Sequence, residues 1–171
     1  MYRPMKQEII SVLVENKANV LTRVISLYGR RGFNIDSLTV SPTNNPELSR
    51  ITIAFTANER SMQQIITQTE KLEVVKSVSL MDKQGALYRE LLLVKLSIDD
   101  AARTSIKEIA DIYRAKIVAL SKNNMIIELT GTPEKLNAFL NVLEDYEIEE
   151  VCRTGVTGIE ATVEKESIVN D

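Results

Sequence analysis

Asn34–Thr56, NIDSLTVSPTNNPELSRITIAFT, holds two β-rich runs around a polar break. Asn34–Ser41 (NIDSLTVS) reads as a strand, and Leu48–Thr56 (LSRITIAFT) alternates as a second one. Between them Pro42–Glu47 has the prolines and asparagines of a loop, so the two runs predict an antiparallel hairpin. Before the hairpin, Val20, Leu21, Val24, Ile25, Leu27 and Tyr28 recur at helical spacing, with Thr22, Arg23, Ser26 and Arg30 opposite. Arg30 and Arg31 fall in the last turn, where cations suit the helix dipole, and Gly32 is placed for a left-handed cap. After the hairpin, Asn58 is placed to cap a helix whose apolar face is Met62, Ile65, Ile66 and Leu72. Glu8–Glu15 (EIISVLVE) and Val74–Met81 (VVKSVSLM) supply the outer strands. The order is βαββαβ.

A polar segment, Asp82–Ala86 (DKQGA), reads as a linker, and the pattern then restarts. Tyr88–Ser97 (YRELLLVKLS) is a strand, and Ile106, Ile109, Ala110 and Tyr113 mark a helix. Lys116–Leu120 and Met125–Thr130 flank a Lys122-Asn123-Asn124 turn. Thr132 before Pro133 starts a helix striped by Leu136, Phe139, Leu140 and Leu143. Glu147–Arg153 closes the unit, and the charged residues Ala161–Asp171 are expected to fray. The fold class is therefore α+β: two tandem ferredoxin-like βαββαβ domains with antiparallel four-stranded sheets, at 1–82 and 83–160, and a tail at 161–171. The repeat lies in topology, not in residue identity. The first strand is apolar on both faces, with Ile10, Val12 and Val14 against Ile9 and Leu13. Helices on one side leave the other wanting cover, worth several kcal/mol at ~25 cal/mol per Å², and self-association is the expected result.

Composition removes whole classes of function. The chain has 171 residues, a net charge of −3 and a pI near 5.2, without the basic surplus that phosphate contacts to nucleic acid require. No apolar run has the length of a membrane span and no charged-then-apolar leader opens the sequence, so no membrane association is expected. Cys152 is the single cysteine, which excludes an intrachain disulfide and suits a reducing cytoplasm. Histidine, the commonest general base and metal ligand, is absent, and one cysteine cannot build a structural zinc site. Carboxylate or lysine catalysis would need a converging pair that the sequence does not offer.

The segment Val14-Glu15-Asn16-Lys17-Ala18-Asn19-Val20-Leu21 runs from a strand straight into the first helix. A helix N-terminus offers unpaired N–H groups and partial positive charge, which suit a ligand carboxylate. Asn16 can hydrogen-bond a ligand or simply stabilise the turn, and an ordinary capped connection remains open at this point. Elsewhere the bland readings lead. Arg30 and Arg31 stabilise a helix end, Cys152 is a small packed residue, Gly131-Thr132-Pro133 is a cap, and Glu149-Glu150 is solvated charge. The loop Ser41–Arg50 is a solvated turn or a contact for a partner protein.

Ser11–Ile53, SVLVENKANVLTRVISLYGRRGFNIDSLTVSPTNNPELSRITI, resembles the start of the acetolactate synthase small, regulatory subunits. The later pieces YRELLLVKL, ELTGTPEKLNAFL and EEVCRTGVTGI resemble the second domain of that family. The resemblance implies an N-terminal ACT domain that binds an amino acid and forms a homodimer. It implies no catalysis by this chain alone, activation of a large catalytic subunit, and feedback inhibition by valine or another branched-chain amino acid. Thiamine diphosphate, Mg and FAD would belong to the large subunit. The effector would lie at the dimer interface, held by Asn16 and the loop Lys17, Ala18, Asn19, Val20 and Leu21 of one protomer and by Asn34 of the other. Leu21 and Ile35 would line its aliphatic pocket. The family usually has glycine where this chain has Asn19. Asparagine tolerates the left-handed conformation but fills space near the ligand, so weakened, altered or absent valine sensitivity is expected. A free-standing tandem ACT regulator of another enzyme keeps the fold and changes the partner. An acylphosphatase-like enzyme would need a phosphate cradle that is not apparent, and an RNA binder would need aromatics on the open sheet face.

Overall fold

The computed structural model describes residues 6–81 and 85–161. Two antiparallel sheets organise them. The first runs β1 (Lys6–Glu15), α1 (Val20–Arg30), β2 (Ile35–Pro42), β3 (Leu48–Ala57), α2 (Glu59–Glu70) and β4 (Val75–Leu80), with strand order β2-β3-β1-β4. The second runs β5 (Ala86–Ser97), α3 (Asp100–Tyr113), β6 (Lys116–Leu120), β7 (Asn124–Gly131), α4 (Pro133–Val142) and β8 (Ile148–Arg153), with order β6-β7-β5-β8. Both are the expected split βαββαβ arrangement, and β9 (Thr157–Glu160) pairs with β5 as a fifth strand that the sequence reading omits. The described residues divide into two compact units. One runs up to Leu87 and takes in the segment from Val156; the other is Tyr88–Gly155. The expected division at 82/83, most of the linker and the tail beyond Ala161 lie outside the described residues.

Each core follows from the alternation. In β1 and β3 the residues Ile10, Val12, Ile51, Ile53 and Phe55 are fully or almost fully buried with Val24 and Tyr28 of α1 and Ile65 of α2. In β5 and β7 the pairs Leu92↔Leu129, Val94↔Ile127 and Leu96↔Met125 face Ile106 of α3 and Leu136 and Phe139 of α4. Helix starts follow the cap signals: Asn58 Oδ1 accepts from Ser61 N at 3.0 Å, and Thr132 Oγ1 from Lys135 N at 3.3 Å with Pro133 beside it. Gly32 adopts φ 72°, the left-handed conformation expected after α1.

Two expectations need correction. The helix-free face of the first sheet is not left open: Ile9, Ser11, Thr52 and Ala54 are all buried within the single chain. Part of the cover is Val156, itself 1% exposed, whose carbonyl accepts from Thr39 Oγ1 at 3.0 Å and whose N–H donates to Ser37 Oγ at 3.3 Å. Ser37 and Thr39 pair with Ala54 and Thr52, so the returning segment lies over that face. Self-association is therefore not demanded by an uncovered sheet. Cys152, expected to pack, is exposed on β8 opposite Leu93, on the helix-free face of the second sheet.

Candidate functional site

β1 ends at Glu15, and four exposed residues, Asn16, Lys17, Ala18 and Asn19, carry the chain into α1. Asn19 takes φ 65° and ψ 1°, and its side chain makes no capping bond. The other three helices begin with a side-chain cap and an acidic residue in the first turn, Glu59, Asp100 or Glu134; α1 has neither. Val20 N reaches Lys17 O at 3.4 Å, and Arg23 N closes the first helical bond to Asn19 O at 3.1 Å. The N–H groups of Leu21 and Thr22 stand before that bond, with no intrahelical acceptor and no other partner among the described residues. Uncapped donors at the positive end of a helix dipole form a receptor for a carboxylate.

The loop is held from both sides. Asn16 N–H donates to Glu47 O at 2.7 Å and Asn16 Nδ2 to Pro46 O at 2.9 Å, both in the turn between β2 and β3. On the other side, Glu15 receives Lys17 Nζ at 2.8 Å and Lys76 Nζ of β4 at 2.6 Å. The hydrogen bond from Lys17, then that from Lys76, hold the Glu15 carboxyl at about 2, below its ordinary 4.5. Glu15 raises the Lys17 ammonium in turn, and the charges of Glu47 and Glu73 add to this. Because the folded value is depressed, the contribution of these pairs is present above pH 4.5 and is lost as the pH falls toward 2. A carbon-detected NMR titration of the Glu15 carboxyl is expected to show that low midpoint. A midpoint at the ordinary carboxylate value would mean that the pairs do not persist in solution.

The structure brings Asn16, Lys17, Ala18, Asn19, Val20 and Leu21 together and leaves Asn34 and Ile35 apart from them within one chain. Glu15 pairs with Leu48, whereas Ile35 pairs with Phe55 at the other end of β3. At ~3.3 Å per residue that interval spans roughly 20 Å, so one protomer cannot close the set. Asn34 is exposed, with Nδ2 at 3.5 Å from Asp36 Oδ1, while Leu21 and Ile35 are half-buried against the first core. Among the described residues, no group of His, Cys, Asp and Glu is arranged to hold a metal, and no helix is long and apolar enough to cross a membrane. Sequence reasoning missed Lys76, Pro46 and Glu47, whose part depends on strand adjacency. Glu15 was legible only as the end of a strand.

Comparison with known proteins shows the family and the fold. Residues 10–77 match a family model described as the AHAS small subunit-like ACT domain, and residues 89–162 one described as the small subunit of acetolactate synthase. The acetolactate synthase small subunit of Mycolicibacterium smegmatis is 43% identical over 150 residues, 88% of each chain. The isozyme 3 small subunit of Salmonella typhimurium is 41% identical, over 90% of this chain and 94% of that one. The crystal structure of the Thermotoga maritima small subunit superposes with a TM-score of 0.83 at 36% identity, covering 91% of this chain and 97% of the other.

Proposed function

The chain belongs to the family of acetolactate synthase small subunits, and on that premise we propose that it activates a large catalytic subunit and carries an amino-acid effector site at the start of α1. The observation that carries the site is the first turn of α1, free of both cap and acidic residue, preceded by Asn16 and the left-handed Asn19. An α-carboxylate would take the N–H groups of Leu21 and Thr22, and an ammonium would take an asparagine oxygen. Since Asn16 and Asn34 lie at opposite ends of one sheet, the complete site would use two protomers, Asn34 and Ile35 coming from the second. Residues 1–82 would then be the effector-binding and dimerising domain and 83–160 the second domain. The effector is a branched-chain amino acid, with valine the first to test. Thiamine diphosphate, Mg and FAD are assigned to the large subunit, and the complex to the cytoplasm.

Asn19 sets the strength of inhibition in this reading. Its backbone conformation is the one glycine adopts freely, and it brings a side chain to the residue that precedes the first turn of α1, beside the proposed carboxylate receptor. In the enzyme reconstituted with its large subunit, the chain is expected to raise turnover and to confer only weak valine inhibition. Asn19→Gly is expected to lower the valine concentration for half-inhibition about tenfold, roughly 1.4 kcal/mol. Failure of the chain to raise turnover would overturn the regulatory assignment. Micromolar valine inhibition of the unaltered complex would overturn the role given to Asn19.

A further inference from the structure

Along β3, Ile51, Ile53 and Phe55 turn to the helices, so Arg50 lies in the opposite phase, on the helix-free face with Thr52 and Ala54. Register supplies its neighbours. Leu13 of β1 and Ser41 of β2 stand opposite Arg50, Ser77 of β4 stands opposite Leu13, and Ser79 opposite Ser11. Arg50 is half-buried, and its Nη1 donates to Ser11 Oγ at 2.6 Å. Ser11 is itself 4% exposed, so the guanidinium is drawn across β1 toward the edge strand β4, where Ser79 is half-buried and Ser77 exposed. Two other arginines at similar depth are answered by acids, Arg153 by Glu90 and Arg103 by Asp100. Among the described residues no carboxylate pairs with Arg50. Glu15, in phase with the same face, is held by Lys17 and Lys76, and Asp36 at the far end accepts from Thr56 Oγ1 at 2.9 Å. A half-buried guanidinium among hydroxyls and without a counter-charge is short of an anion.

We propose that Arg50, Ser77 and Ser79 form a binding site for a phosphate oxyanion, free or as the phosphoryl group of a small molecule, on the face of the first sheet away from α1 and α2. The site is independent of the effector loop. With Nη1 oriented by Ser11, the guanidinium offers its remaining N–H donors as a fork to two phosphate oxygens. Ser77 and Ser79 alternate on β4, so they stand roughly 6.6 Å apart at ~3.3 Å per residue, a gap that one phosphate bridges by accepting from both hydroxyls. A carboxylate has only two oxygens, which the fork would use up, leaving the serines unanswered. The open edge of β4 gives an anion its approach from solvent.

The test is an NMR titration of the full chain with inorganic phosphate and, separately, phenyl phosphate, at constant ionic strength held by chloride. The Arg50 Nε–H signal and the amides of Ser11, Ser77 and Ser79 are followed. They are expected to shift saturably, and the probe with the lower midpoint identifies the source as the free anion or a phosphoryl group. Arg50→Gln is expected to raise the midpoint about tenfold or more, and Arg50→Lys, which keeps the charge but loses the fork, about threefold. Ser79→Ala, a small change on an edge strand, is expected to raise it about threefold and keeps the test open should Arg50→Gln fail to fold. Acetate and valine are expected to bind at these signals at least about fivefold more weakly than phosphate. Shifts that grow linearly without saturating overturn the site, as does a midpoint that Arg50→Gln and Ser79→Ala leave unchanged. Acetate binding as tight as phosphate overturns the phosphate class.

Discussion

Phe55→Ala is expected to lower the unfolding free energy of the first unit by about 4 kcal/mol, within the usual range for removing a buried aromatic ring. Phe55 is fully buried on β3, which pairs on both sides, with β1 and with β2. Its ring meets Tyr28 edge-on at 5.8 Å between centroids and Phe33 at 5.9 Å, and Tyr28 and Phe33 contact each other at 6.3 Å. The three rings join the end of α1, the entry to β2 and the middle of the sheet. Truncation removes two edge contacts and leaves a cavity that a doubly paired strand cannot move to fill. Phe33→Ala, at a half-buried position, is expected to cost about half as much. Urea denaturation of the full chain, followed by backbone amide NMR signals from each unit separately, measures both. A loss below about 2 kcal/mol for Phe55→Ala would show that the neighbouring side chains collapse into the space.

The rings show why so much of this fold was legible. Apolar phase is local information: Ile51, Ile53 and Phe55 alternate, Val20, Val24, Leu27 and Tyr28 recur at helical spacing, and these patterns alone decide which faces meet. Cap chemistry is equally local, so Asn58 and Thr132 could be placed before any contact was known. What escaped is non-local. β9, of only four residues, TGIE, becomes a strand through its pairing with β5. Ser11 and Thr52, polar residues on the helix-free face, are buried by cover whose visible part, Val156, comes from far along the chain. The same division runs through the candidate site. Asn16 stood out in the sequence because it lies at a strand–helix junction, and Asn19 because the family that the sequence resembles usually has glycine there. The partners of Asn16 in the β2–β3 turn, and of Glu15 on β4, appear only once strand register is fixed.

Glu90 carries that lesson into energetics, because its partner lies on another strand. It precedes Leu92, Val94 and Leu96 in the inward phase of β5 and is 6% exposed. An ionised carboxylate there needs compensation, and Arg153 of β8 supplies it: Nη2 donates to Glu90 Oε2 while Nη1 donates to Asn137 Oδ1 of α4 at 2.7 Å. One guanidinium thus ties β5, β8 and α4. Arg153→Ala is expected to destabilise the second unit by about 3 kcal/mol, the lower end for breaking a buried pair, since the Arg153 side chain remains 29% exposed and partly screened. Most of that cost comes from leaving Glu90 buried and unpaired, so adding Glu90→Gln to Arg153→Ala is expected to recover about half of it. The pair Lys95–Glu149 offers the contrast within the same sheet. Its side chains are 40% and 31% exposed, and breaking it is expected to cost under about 1 kcal/mol. Urea denaturation of Arg153→Ala, its double variant with Glu90→Gln, and Lys95→Ala decides the matter. If Arg153→Ala costs no more than Lys95→Ala, Glu90 finds other compensation in solution and the three-element tie is not what holds the second unit together.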